Sequence, residues 1–408
     1  MRRSMLRAAL AIALVSPSAG AQSLMLTESD ALARLSTNSP HVRAIRAGVD
    51  VARVDVLAAA RWPNPRSTVT RESVAGVTEY LATVSQPLPV TGLRRLEVAA
   101  ASARVSTSSS RADDEIRRVK ADLRVAFAGL VAAQVKERAL TTAADRLRVL
   151  TEILANREAA GAAAGFDRLR AEHELSELEM DGVVAATDRA REQAFLGSFF
   201  DDLLDPARIV AVDGTRAPTP VPPLAALLEI AESSRGELVA LGHEIDAAGF
   251  AARVADRRRV PVPEIVAGTK SSSFAGGDVG TIVSVNVALP LFDRARPERA
   301  LATARETQAY ARRDALRLVL RGQIAALRTT VVERRAAAAR YRAEAITSAD
   351  QIERIAQISY DAGERSILEL LDAYRLGSAA RLRLAALDAA VRHYEVELEY
   401  VSGWEMSQ

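Results

Sequence analysis

Residue types that usually carry chemistry are sparse in this chain. It has four histidines, His41, His173, His243 and His393, and no cysteine. Apart from neighbouring glutamates, no histidine has a second histidine or a carboxylate cluster at ligand spacing across a turn, and a metal site needs several convergent donors. They read as helix-face residues. Without cysteine there is no thiolate nucleophile, no thiolate metal site and no disulfide framework. Gly276-Gly277-Asp278-Val279-Gly280 lacks the Lys-Ser/Thr of a phosphate loop and precedes a strand-like run, so it reads as a hairpin turn. No nucleophile–base pair is visible. The expectation is a protein with no catalytic residues, no cofactor and no metal centre. The charged and phenolic groups that stand out are Asp167, Tyr360, Arg365, Glu369 and Asp372, near the ends of long runs poor in Gly and Pro.

The N-terminus reads as an export signal. Arg2, Arg3 and Arg7 precede an apolar run from Ala8 to Val15, too short to span a bilayer, and Ala19-Gly20-Ala21 supplies a small-x-small cleavage site. Residues 1–21 are thus expected to be removed. Taking the three leader arginines from 54 basic residues leaves 51 against 52 acidic ones, a balance of −1. Mixed, near-neutral charge gives no footprint for nucleic acid. Beyond the leader no apolar stretch approaches the roughly 18 residues of a membrane helix, so entry into a membrane would require β-strands in a closed barrel. Aromatics are only 4% of a chain rich in Ala, Arg, Leu and Glu, a composition of long helices.

The sequence is written twice, with an offset near 200 residues. Asp50, Ala52, Arg61 and Pro65 fall on Asp246, Ala248, Arg257 and Pro261; Gln86-Pro87-Leu88 meets Leu289-Pro290-Leu291; Gly161, Asp167, Leu169 and Ala171 meet Gly363, Glu369, Leu371 and Ala373. That period is far longer than a solenoid repeat and marks a duplicated half. The expected organisation is a first repeat over 22–202, a Pro-rich extended linker over 203–223, a second repeat over 224–403 and a tail over 404–408. Each half orders a helix, a strand pair, a very long helix and a returning helix. Leu93 to about Ala160 and Ala295 to about Ala362 would each form roughly 100 Å of helix at ~1.5 Å per residue. Ile367, Leu370, Leu371 and Tyr374 form one buried stripe on the last helix.

The expected strand pairs are Ser67–Val74 with Val77–Gln86, and Ile265–Ser271 with Thr281–Leu289. Val283, Val285, Val287 and Leu289 alternate with Ser284, Asn286 and Ala288, and the repeat maps the apolar face onto Tyr80, Ala82 and Val84. One apolar and one small polar face suit a membrane barrel. Four strands cannot close one, and open edges are not tolerated in lipid, so several chains must share it; three would give twelve strands. The fold class is mainly α with a small β part.

The order of parts resembles the TolC-type outer-membrane efflux protein family across the whole mature chain. The motifs carrying the resemblance are Asn38-Ser39-Pro40, Ser85-Gln86-Pro87-Leu88-Pro89-Val90-Thr91-Gly92-Leu93-Arg94, Leu289-Pro290-Leu291-Phe292, Tyr360-Asp361-Ala362-Gly363-Glu364-Arg365-Ser366 and Leu368-Glu369-Leu370-Leu371-Asp372-Ala373. The resemblance implies a homotrimer in the cell outer membrane, with duplicated helical hairpins forming a periplasmic helical barrel below a 12-stranded β-barrel. It implies a periplasmic adaptor (membrane fusion) protein and an inner-membrane RND-type pump as partners. The Gln86–Arg94 stretch is most similar to the heavy-metal (cobalt–zinc–cadmium type) branch. Asp167, Glu369 and Asp372 match the family's acidic ring at the periplasmic aperture, and Tyr360 and Arg365 match contacts that hold it shut. Threefold symmetry would gather about nine carboxylates at one mouth, a ring that attracts cations and repels anions. The bland Gly161-Ala-Ala-Ala-Gly165 stretch departs from Gly363–Ile367 and weakens the adaptor contacts expected there. A periplasmic coiled-coil adaptor or scaffold is the rival reading; two amphipathic strand pairs at equivalent places of a duplicated chain argue against it.

Overall fold

The computed structural model describes residues 23–160, 165–201, 205–214, 219–274 and 277–405. The expected leader, residues 161–164 of the Gly161–Gly165 stretch, parts of the linker, Gly276 of the second hairpin turn and the end of the tail lie outside them. The first half comprises β1 (Leu24–Leu26), α1 (Glu28–Asn38), α2 (Pro40–Ala60), β2 (Arg66–Val74), β3 (Val77–Pro87), α3 (Leu93–Ala159) and α4 (Gly165–Gly197). The second comprises β4 (Ile209–Ala211), α5 (Leu224–Ser234), α6 (Gly236–Arg257), β5 (Pro263–Ser272), β6 (Asp278–Val287), α7 (Arg296–Tyr341), α8 (Thr347–Asp361) and α9 (Ile367–Ser402). A π-helical turn, Arg342–Ile346, joins α7 to α8.

Local chemistry explains the breaks. Thr27 and Asp30 form a capping box that starts α1, and Pro40 starts α2, where its missing N–H costs no helical bond. The first helix expected in each half is therefore two helices; in the second half the break falls at Arg235. The linker is not wholly extended. Pro206–Arg208 make a 3-10 turn capped by Asp205, and β4 pairs in parallel with β1, Leu24 opposite Ile209. Strands this short carry no periodic signal.

Both sides of each hairpin follow from length. α3 has 67 residues, about 100 Å at ~1.5 Å rise per residue. Near the sheet the helices lie side by side in the order α2, α3, α6, α7; at the far end the order is α4, α3, α9, α8. The molecule is thus one curved layer of helices continued by a four-stranded sheet. Three apolar clusters hold it together. α1, β1 and β4 pack on α3 and the end of α4 around Leu123, Phe127 and Leu130; α5 packs on α7 and α9 around Leu227, Ile324 and Leu398. The third joins the far ends of both hairpins around Leu150, Leu154, Leu370 and Leu371, with Ile367 and the half-buried Tyr374 on the expected stripe. No helix among the described residues is long and apolar enough to cross a membrane.

Candidate functional site

The sheet order is β2-β3-β5-β6, antiparallel throughout, leaving β2 and β6 as edges. The first hairpin turns through Ala75 and Gly76, both at positive φ (49° and 83°), the conformation a two-residue turn between twisted strands requires. Directly paired residues share a face. One face carries Val69, Tyr80, Ala82, Val84, Ile265, Val283, Val285 and Val287; its single charge is Arg71, whose guanidinium lies 5.8 Å from the Tyr80 ring centre. The structure therefore brings all six strand residues expected at the lipid onto one face. The opposite face carries Arg66, Glu72, Glu79, Glu264, Lys270, Ser284 and Asn286, with Lys270 and Glu79 paired at 2.7 Å. On β3 the apolar face is exposed, whereas Leu81, Thr83 and Ser85 are half-buried, so the sheet curves with its polar face inside. β6 starts at Asp278 and ends at Val287, earlier than the expected Leu289.

The second group of expected residues lies at the opposite end, where α3 turns into α4 and α8 into α9. Gly363, at φ 76°, stops α8: its N–H donates to the Tyr360 carbonyl at 3.0 Å, and the Glu364 N–H to that of Ser359 at 2.9 Å. Ser366 and Glu369 then form a capping box that starts α9. Tyr360 is buried against α3. Arg157 of α3 stacks 5.5 Å from its ring centre and donates to its hydroxyl at 3.4 Å. Burial pushes the Tyr360 phenol above its usual pKa; Arg157 opposes the shift, while Asp167 and Asp361 add to it. Asp167, in the first turn of α4, is thus part of the electrostatic surroundings of Tyr360.

Arg365 behaves differently from Tyr360. From the turn just before α9, its Nη1 donates to Glu369 in the first turn of that helix at 3.0 Å. Tyr360 ties α8 to α3 of the other hairpin; Arg365 instead joins a residue of the expected acidic set within its own hairpin. Asp372 is exposed one turn beyond Glu369.

Sequence reasoning missed the long-range partners. Arg157 is one. Another is Glu353, buried on α8, whose carboxylate accepts from Arg146 of α3 at 3.0 Å and from Arg381 of α9 at 2.7 Å. A Cβ on Gly377 would lie 1.5 Å from Glu353 Oε1, so the glycine makes room for that carboxylate. Glu174 of α4 likewise accepts from Arg375 of α9, Nε at 2.5 Å. Only Gly377, a glycine within a long helical run, signals any of this locally. Among the described residues no three His, Asp or Glu side chains converge as metal ligands.

Outer-membrane channels share this fold. A membrane protein of Pseudomonas aeruginosa aligns over 92% of this chain and 93% of its own, with 19% identity and a TM-score of 0.75. The CmeC outer membrane channel of Campylobacter jejuni aligns over 92% and 85%, with 15% identity and a TM-score of 0.76. The open state of the MtrE outer membrane channel of Neisseria gonorrhoeae aligns over 92% and 88%, with 15% identity and a TM-score of 0.70. In sequence, residues 227–403 match the family model described as outer membrane efflux protein. That stretch is nearly all of the second repeat. No curated protein matches the chain significantly.

Proposed function

We propose that this chain is one subunit of a homotrimeric outer-membrane efflux channel, a passive conduit that does no chemistry itself. The observation that carries the reading is the sheet: four strands, one apolar face, one polar face and two open edges, set on helices far longer than a bilayer is thick. Lipid does not tolerate unpaired strand edges. β6 runs antiparallel to β2, so the β6 edge of one copy can pair with the β2 edge of the next and continue the alternation. A repeated heterologous contact of this kind closes into a ring, and three copies give twelve strands. The helical layer also has free edges, α2 near the sheet and α8 at the far end. Val51, Val54 and Leu57 are exposed on α2, and Ile352, Ile355 and Ile358 on α8, surface that neighbouring copies would cover.

In this arrangement Tyr80, Ala82, Val84, Val283, Val285 and Val287 face lipid. The far tips gather at a periplasmic aperture, with Asp167, Glu369 and Asp372 as its acidic ring and the Tyr360–Arg157 contact as a tie that must break for the hairpins to part. A periplasmic adaptor would bind and open this end, and an inner-membrane RND-type pump would deliver the cargo. The acidic mouth suits cations, in keeping with a heavy-metal substrate. Cell fractionation followed by native mass measurement in detergent tests the assembly. A trimer recovered from the outer membrane is expected; a water-soluble periplasmic monomer overturns the reading.

A further inference from the structure

Arginine is concentrated where the sheet meets the helices. The four segments at this junction, residues 61–66, 88–97, 256–264 and 289–299, hold ten arginines, no lysine and five carboxylates. The carboxylates are largely committed. Glu97 pairs with Arg258 at 3.4 Å, Asp256 with Arg299 at 2.7 Å, and Asp293 accepts from the Ala295 N–H at 3.0 Å; Glu264 lies on the polar face of the sheet. The exposed guanidinium groups of Arg61, Arg95, Arg257, Arg294 and Arg296 have no carboxylate partner among the described residues. No acidic residue in the first turn of α3 offsets Arg94 and Arg95. The other end of the sheet is different, with Arg71, Glu72, Glu79, Lys270 and Asp278 mixed in sign.

Helical phase puts two of the unpaired groups outside. A groove of about 440 Å³ touches α2, α3, α6 and α7 together, so it lies on the concave side of the layer; Glu97 and Ala100 of α3 and Glu298 and Leu301 of α7 line it. Arg95 and Arg296 each precede a lining glutamate by two positions, roughly 200° round the helix. They therefore point to the convex surface. The same junction segments also expose Trp62, Val90, Leu291 and Phe292, Phe292 at 99%.

We propose that this collar binds the phosphate headgroups of anionic phospholipids in the leaflet at the helix end of the barrel, a proposal that rests on the channel reading above. The composition fits that ligand. Guanidinium forks bind phosphate oxygens in pairs, which a lysine cannot do. Apolar and aromatic neighbours beside basic heads match the boundary between acyl chains and headgroups, where long side chains reach to the charge. The collar fixes the height and tilt of the barrel in that leaflet.

The test is native mass spectrometry of the full chain in detergent, titrated with phosphatidylglycerol or with phosphatidylethanolamine of the same acyl chains. The trimer is expected to retain the anionic lipid several-fold more strongly. The triple variant Arg61→Gln, Arg95→Gln, Arg296→Gln is expected to weaken that retention ~10-fold or more, with each arginine near the surface contributing a few-fold. Arg340→Gln, on an exposed part of α7 far from the sheet, is expected to change nothing. Equal retention of both lipids by a trimer, or an unchanged preference in the triple variant, overturns the collar and leaves the channel reading standing. A variant whose bilayer currents change ion selectivity while its lipid preference stays intact also overturns it, because the arginines would then line the conduit. A lipid-free monomer in the same spectra overturns both.

Discussion

A lysine at Val283 tests which face of the sheet meets lipid. On the apolar face, rows of paired residues recur every two positions along β6, from Val279, level with Tyr80, through Thr281, Val283, Val285 and Val287 towards Leu289. Five row intervals of ~6.7 Å span about 33 Å along the strands, or about 24 Å across a bilayer at a tilt of ~45°. Val283 and Val285 straddle the middle. Val283 stands opposite Ala267, which in turn stands opposite Val84, so no neighbour on that face offers a charge. A lysine there should cost about 2–4 kcal/mol, a factor of about 30 to 1000 in the folding equilibrium. At Val279, level with Tyr80 and Arg71, the cost should fall to ~0–1 kcal/mol. At Ser284, on the polar face, it should be near zero. The assay is the fraction of detergent-resistant trimer in the outer-membrane fraction at equal expression. If Val283→Lys and Ser284→Lys behave alike, the assignment of faces is wrong.

The aperture can be tested at single residues. Because Arg365 bonds Glu369, Glu369→Ala would remove a ring charge and free a cation at once; Asp372→Asn is the cleaner change and should lower cation preference and divalent block in planar bilayers. Arg157→Gln or Tyr360→Phe should raise resting conductance, because the bond between α3 and α8 is lost while the carboxylates stay; unchanged conductance would remove the tie from the mechanism. Gly377→Ala should push the Glu353 carboxylate off the partly exposed Arg146 and Arg381, costing about 1–3 kcal/mol as for other lost hydrogen bonds to charged groups; a thermal midpoint equal to the parent's would show that the cluster simply shifts. Since burial raises the Tyr360 phenol, its contribution to stability should be complete below the unfolded pKa near 10 and lost as pH rises through the higher folded value. Alkaline titration of Tyr360 should therefore lag that of free tyrosine, and ionisation at the free-tyrosine pH would contradict it.

The fold was legible because its signals are local and long. A run of about 68 residues almost free of Gly and Pro has one outcome, and α3 occupies nearly all of it. The alternation at Val283, Val285 and Val287 assigns a face whatever the strand's exact ends, because a shift of one residue would turn every valine to the wrong side. The duplication carried this signal to Tyr80, Ala82 and Val84, which by themselves alternate weakly. Where structure depended on a few residues, the sequence was mute. β1 and β4 have three residues each and exist because Gln134 of α3 bonds the Ala211 backbone on both its N–H and its carbonyl, at 2.9 and 2.8 Å. The π-helical turn at Arg342–Ile346 lies in a run indistinguishable from ordinary helix.

The candidate aperture shows where such reading stops. Motif order placed Asp167, Tyr360, Arg365, Glu369 and Asp372 at one end of the molecule, but which of them touch depends on the rotation of α3, α4, α8 and α9 about their axes. That rotation is set by the apolar stripe of the far cluster, not by the charged residues themselves. Burying Leu370 and Leu371 turns Glu369 and Asp372 outward, and the capping box draws Glu369 back to Ser366 and towards Arg365. Burying Tyr360 brings it under Arg157, more than 200 positions earlier in the chain. The two contacts expected to act alike therefore differ in kind. One crosses between hairpins and resists their separation; the other joins the turn before α9 to the first turn of that same helix and would survive it. Opening in this chain should accordingly be governed by Tyr360 and Arg157, with Arg365 setting how much of the Glu369 charge the conduit feels.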